Sequence, residues 1–297
     1  MISIVRKQES AEAFLHYKAV WSQRLSNAIW WLGVGFVFFV ALLSLMPLYW
    51  MIAGSFKNQR GAMSYPPQLI PSPVTLGNWE NLLFNMYAPR WLLNSIIVAT
   101  AVMILAVITS TLAGYAFGKK KFPGQTVLFW ALLLTMMLPK QISLIPLFVM
   151  MRTFGWFDSY QGLIVPYIAY PFGIFLMKQF MQSIPDDLID AARIDGASEL
   201  QTLWRVVAPL ARPAIGALAI FAFMFAWNDY LWQLVIINRE PMMTLPVGVS
   251  KLVAGWATAH IGLGMAGATL AFIPMVIMFF LFQDYFVKGI TVGAVKG

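Results

Sequence analysis

Six apolar runs dominate this sequence, each close to the roughly 20 residues that a helix needs to cross a bilayer. They cover about 28–51, 91–117, 126–151, 161–177, 214–237 and 265–286. The third is interrupted at Pro139 and Lys140, and Pro146, Pro166 and Pro171 further break the helical ladders of the third and fourth. Residues are 60% hydrophobic and 11% charged, against roughly 45–50% and about 25% in soluble domains. An ordinary cytosolic enzyme, a disordered chain and a disulfide-stapled secreted domain are excluded. The expected fold is all-α and polytopic, with six transmembrane helices. A cytoplasmic segment over 1–27 precedes a single membrane domain over 28–297.

Charge sets the expected orientation. With the N-terminus inside, 13 Lys and Arg fall on the inner side and seven on the outer, as the positive-inside rule favours. The run Lys119, Lys120, Lys121 is the firmest part of that bias. Both termini are then cytoplasmic. Basic residues are scattered between apolar runs rather than clustered on one soluble face, so the net charge of +8 does not indicate nucleic acid. Glu9 and Glu12 in the leader, and the length of the first apolar run, argue against a cleavable signal. With no cysteine there is no disulfide or thiolate metal site. His16 and His260 lie in unrelated segments and make no metal site.

The inner segment 178–213 is long for a connection and carries helix punctuation. Pro185 suits a first helical position, with Asp186 and Asp187 against the positive end of the dipole. Gly196 suits a left-handed terminator. Ser198 and Gln201 form a capping box for a second helix bearing Leu200, Leu203, Trp204 and Val207, which Pro209 is expected to stop. Ala191 and Ala192 leave one stretch smooth enough for another backbone to approach. Leu188, Ile189 and Ile194 are costly in water, so the hairpin either lies on its own bundle or membrane, or docks a cytosolic partner.

Asp190-Ala191-Ala192, then Gly196, Val206 and Pro209 at the spacings found here, resemble the EAA motif of ABC-importer permeases, with Asp190, Val206 and Ala208 replacing Glu, Ile and Leu. Further stretches resemble the carbohydrate branch of that family in the right order. They are Ser55-Phe56-Lys57, the run from Pro71 to Trp79, Trp227-Asn228-Asp229-Tyr230-Leu231-Trp232, Thr244-Leu245-Pro246-Val247-Gly248, and the tail from Tyr285 to Gly297. The resemblance is to the smaller permease subunit of maltose-type importers.

That resemblance implies a type I ABC-importer permease in the cytoplasmic (inner) membrane of a bacterium or archaeon, with a coupling helix between spans four and five. Asp190, Ala191, Ala192, Gly196 and Pro209 would couple to two ATPase subunits, which bind ATP and Mg. The chain itself would hold no cofactor and catalyse nothing. A larger permease subunit and an extracytoplasmic sugar-binding protein would complete the assembly. Outer segments would cover 57–90 and 238–264, the latter reaching toward the binding protein, and the tail over 287–297 would reach the ATPases.

The residues agree that nucleotide is bound elsewhere. Gly114 to Lys120 is one residue short of phosphate-loop spacing and lacks the following Ser or Thr. Gly114 and Gly118 read better as small residues for helix packing. Asn228 and Asp229 are an adjacent amide and acid inside an expected span. An ionisable group there faces a cavity or a partner. With Trp227 and Tyr230 they either line a sugar path or clamp helices together. A secondary transporter driven by an ion gradient is the rival function, but it calls for internal repeats and several intramembrane charges.

Overall fold

Backbone groups inside hydrocarbon must find partners within their own segment, which leaves the helix as the economical solution for a single chain. Among the described residues the computed structural model is mostly helical, with one isolated bridge between Lys57 and Val74. It describes the backbone of residues 2–256 and 260–294, and the side chains of residues 27, 29–253 and 260–283.

Residues 1–53 form a unit of their own. Helix Ile2–Ser55 runs without a break from the polar leader into the first apolar run and through Pro47. Between Ile29 and Leu45 its large apolar side chains are exposed on every face. Such a surface is untenable in water and at home in lipid.

The second unit, residues 54–297, is organised around helix Ala88–Lys119. Its buried residues Ser95, Val98, Val102, Ala106, Ser110 and Gly114 recur every three or four positions, so they share one side, with Asn94 beside them. Helices Pro171–Gln182 and Arg212–Trp227 pack against it. A Cβ on Gly114 would lie 2.5 Å from Met177 Cβ and 3.0 Å from the Lys178 backbone nitrogen. The two glycines therefore do allow close helix approach, as expected. Gly118 is looser, with Lys178 O at 3.3 Å.

Among the described residues, four helices are long and apolar enough to cross a membrane: Ile29–Ser55, Ala88–Lys119, Tyr160–Gln182 and Ile261–Gln283. Two bent pairs raise that to as many as six. Helix Gln125–Met137 meets Lys140–Thr153 at 103°, so the interruption at Pro139 is a sharp turn. Within Tyr160–Gln182 the helix tightens into a 3-10 turn at Val165–Tyr167 and restarts at Pro171. The Thr109 hydroxyl, 2.6 Å from Ile168 O, meets a carbonyl freed by that break.

Two local expectations are corrected. Helix Arg212–Trp227 ends ten residues before 237, where the Asn228 backbone N–H makes the last ladder bond, to Met224 O, and the Asn228 side-chain amide donates to the same carbonyl. The chain turns through Asn228–Tyr230 and resumes as Leu231–Ile236. Pro185 caps helix Asp186–Ile194 from outside rather than opening it. The helix runs one residue past Pro209, to Leu210, before the chain bends 85° into Arg212–Trp227. A π-helical turn over Leu203–Val207 lies where the proline ring would otherwise crowd the preceding turn, and helix continues over Ala208–Leu210.

Candidate functional sites: a tethered hairpin and a cavity

Helix Asp186–Ile194 and segment Glu199–Leu210 form a hairpin. Gly196 makes the turn at φ 78°, a conformation open to glycine because it lacks a Cβ. The Ser198–Gln201 capping box is present. Ile189, Leu203 and Val207 face inward onto Tyr115, Met177, Met181 and Leu218, and Ala192 is buried as well. Ala192 is therefore under the hairpin, whereas Ala191 and Asp190 are outside it. The outward side also shows Leu188, Leu200, Trp204 and Ile194, the last 86% exposed. Pro209 is exposed near the hairpin's end.

Ion pairs hold the hairpin to the end of helix Ala88–Lys119. Lys119 Nζ donates to Asp186 Oδ1 at 2.7 Å and to Ile184 O. Lys120 and the Tyr115 hydroxyl both donate to Glu199 Oε2. Arg193 bridges Asp190 at 2.9 Å and Glu199 at 3.4 Å. The Lys119 hydrogen bond and charge hold the Asp186 carboxyl below its usual range. The Lys120 hydrogen bond does the same for Glu199, against a smaller effect of burial. Sequence reasoning read these lysines as interface anchors and missed their partners. The available signal was the pair of acids at two helix starts.

A second feature is a cavity of about 860 Å³ beside the broken helices. Asn228, Asp229 and Tyr230 line it, with Pro166 and Pro171. Trp227 does not. It is buried against the opposite side, stacked on Phe223, with Nε1 3.3 Å from Ala271 O. The Tyr167 hydroxyl donates to Asp229 Oδ2, and the Trp232 backbone N–H also bonds the Asp229 carboxylate. Lys140 and Tyr167 were not singled out from sequence, although a cation interrupting an apolar run was itself a signal.

Residues 240–252 of the outer segment are anchored to the bundle. Trp91 Nε1 donates to Glu240 O at 2.8 Å, and the Asn94 amide donates to Pro241 O and Met243 O. Ser95 Oγ accepts the Leu245 N–H. Met243, Leu245, Val247 and Leu252 are buried. Over 240–252 the chain thus folds back on the bundle, since its apolar side chains find a core there. The side chains of residues 254–259 and those of the tail over 287–297 lie outside the described residues.

Among the described residues no cluster of three or more His, Cys, Asp or Glu could hold a metal ion. A family described as "Binding-protein-dependent transport system inner membrane component" matches residues 110–292. The arabinooligosaccharide transport system permease protein AraQ of Bacillus subtilis is 33% identical over 88% of this chain and 94% of its own. The trehalose/maltose transport system permease protein MalG of Thermococcus litoralis is 35% identical over 87% and 94%. The sn-glycerol-3-phosphate transport system permease protein UgpE of Yersinia pestis is 33% identical over 84% and 92%. A crystal structure of a bacterial ABC transporter involved in import of the acidic polysaccharide alginate superposes with a TM-score of 0.77 at 25% identity, covering 89% of this chain and 98% of the other. Matched by the family over residues 110–292 and by such relatives along nearly their whole length, the chain belongs to the family of binding-protein-dependent transport system inner membrane components.

Proposed function

We propose that this chain is one of two permease subunits in an ATP-driven importer of a carbohydrate. Six spans cross the cytoplasmic membrane of a bacterium or archaeon, with both termini inside: the four long helices, the bent pair Gln125–Met137 and Lys140–Thr153 taken as one, and Arg212–Trp227 without the hairpin arm that precedes it. The hairpin around Gly196 is the coupling element between spans four and five, and an ATPase subunit docks on it. A second, larger permease subunit, two ATPase subunits carrying ATP and Mg, and an extracytoplasmic binding protein complete the machine. Asn228, Asp229 and Tyr230 lie along the sugar path. Curated relatives handling arabinooligosaccharides, trehalose or maltose support a carbohydrate cargo.

One observation carries this reading: the hairpin is clamped to the bundle by buried and ionic contacts, yet turns Leu188, Ile194, Leu200 and Trp204 outward. An apolar patch on a rigid base is what a protein partner requires. Mechanical work arriving there passes through Lys119 and Glu199 into helix Ala88–Lys119. The test is purification of the tagged chain in mild detergent, with identification of co-purifying subunits and crosslinking from Leu200→Cys. An ATPase subunit crosslinked at that position is expected. A stable assembly that hydrolyses ATP with the hairpin touching none of its subunits would overturn the docking role.

A further inference from the structure

The cavity contains a cation that the sugar-path reading leaves unused. Lys140 opens helix Lys140–Thr153, just past the 103° turn. Its Nζ stands 3.5 Å from the Phe225 ring centroid and 5.9 Å from that of Tyr167. The same Tyr167 gives its hydroxyl proton to Asp229. Lys140 and Asp229 act on each other electrostatically, Lys140 lying over the Tyr167 ring whose hydroxyl holds Asp229. Among the lining residues they are one cation and one carboxylate; the other polar groups include Gln141, Ser143 and Asn228. The formal charge of the lining is therefore zero.

We propose that Asp229 and Lys140 form a compensated pair that selects the charge class of the cargo, admitting neutral polyhydroxylated molecules and disfavouring anionic sugars. The proposal rests on the reading of this cavity as part of the sugar path. A neutral sugar satisfies both charges at once: its hydroxyls donate to the Asp229 carboxylate and accept from the Lys140 ammonium. Its C–H faces can lie on Tyr170 or Phe172, which also line the cavity. An anionic sugar drawn to Lys140 brings its charge toward Asp229, and the repulsion cancels the attraction. The Tyr167 hydroxyl and Trp232 N–H hold the carboxylate in place, so it cannot swing away at little cost. Asp229 and Lys140 are thus specificity-determining rather than catalytic.

The experiment uses the complete transporter in nanodiscs, without the binding protein, and measures equilibrium binding of maltotetraose and of tetragalacturonate. The readout is the ratio of acidic to neutral affinity. Asp229→Asn keeps an acceptor oxygen but removes the charge, and is expected to raise the ratio on the order of tenfold. Lys140→Gln is expected to lower it, and the double variant to return it near the wild-type value. An unchanged ratio in both single variants overturns the proposal. If Asp229→Asn fails to assemble, Lys140→Gln decides by itself, with an unchanged ratio again overturning it. Ser143→Trp separates the two readings. If it blocks sugar binding while the charge variants leave the ratio unchanged, the path stands and only the charge assignment fails. If it leaves binding intact, or if no variant binds either sugar, the path reading fails and the proposal with it.

Discussion

Lys119 is 4% exposed at its side chain, yet its ammonium reaches the 77% exposed Asp186 at 2.7 Å. The last turn of the central helix thereby holds the first turn of the hairpin. A buried stem ending on an exposed acid behaves as a strut, because the stem cannot reorient without losing its packing. Lys119→Ala is expected to leave the subunits associated but to reduce ATP-driven uptake several-fold. Asp186→Asn keeps a hydrogen-bond acceptor and should show a milder loss. Equal losses in both, or none in Lys119→Ala, would refute the strut.

The hairpin itself should tolerate surface changes in stability terms but not in coupling. The Asp190–Arg193 pair is exposed and worth only about 0.2–0.5 kcal/mol. Asp190→Lys is therefore expected to keep the melting temperature within a degree or two. It places like charges three residues apart on the outward side and should abolish transport-coupled ATP hydrolysis. Gly196→Pro does the same through the backbone, since proline cannot adopt φ 78°. Normal sugar-stimulated ATPase activity in either reconstituted variant would show that the hairpin does not couple.

Helix approach at Gly114 is a packing prediction with an internal control. Gly114→Leu meets the backbone of the neighbouring helix and should cost about 1–3 kcal/mol, with reduced yield in the membrane. Gly118→Ala faces Lys178 O at 3.3 Å, so it should cost markedly less. Thermal melting of the two purified variants checks the order.

Acid sensitivity should trace to Asp158. Burial raises its pKa, but the Arg239 side-chain bond, the backbone N–H groups of Asn238 and Arg239 and the guanidinium charge outweigh that and hold it below the usual carboxylate range. A carboxyl depressed on folding adds stability above its unfolded pKa of about 3.9, and that stability is lost as pH falls through the lower folded value. Asp158→Asn should melt lower at pH 7, with the gap to wild type closing below about pH 4. A gap that stays constant from pH 7 to pH 3 would assign it to packing instead.

Asn94 joins three groups: its amide donates to Pro241 O and Met243 O, and its carbonyl accepts the Tyr160 hydroxyl. Asn94→Leu leaves these unpaired, and each buried polar group so stranded costs about 1–3 kcal/mol. The expected result is faster proteolysis within 237–245 in intact membranes, with the hairpin at 186–210 unaffected.

Much of the architecture was written in local terms. The apolar runs, the glycine turn at 196, the Ser198–Gln201 cap and the small residues at 114 and 118 depend on neighbours a few positions away, so they could be read from the chain. Pro209 marked the helix end to within one residue, and the π-turn at Leu203–Val207 that accommodates its ring had no sequence signal. Trp227 and Asp229 sit two residues apart and were grouped together. The helix ends between them, so Trp227 turns to the core and Asp229 to the cavity.

Periodicity and capping follow from forces acting within one or two helical turns, and those were legible before any coordinates. Which distant charges meet is a different matter. Lys119 finds Asp186 across 67 positions, Tyr167 finds Asp229 across 62, and Trp91 finds Glu240 across 149. Such pairings depend on how helices cross in three dimensions, because a hydrogen bond is lost over an ångström or so of displacement while hydrophobic burial is nearly blind to it.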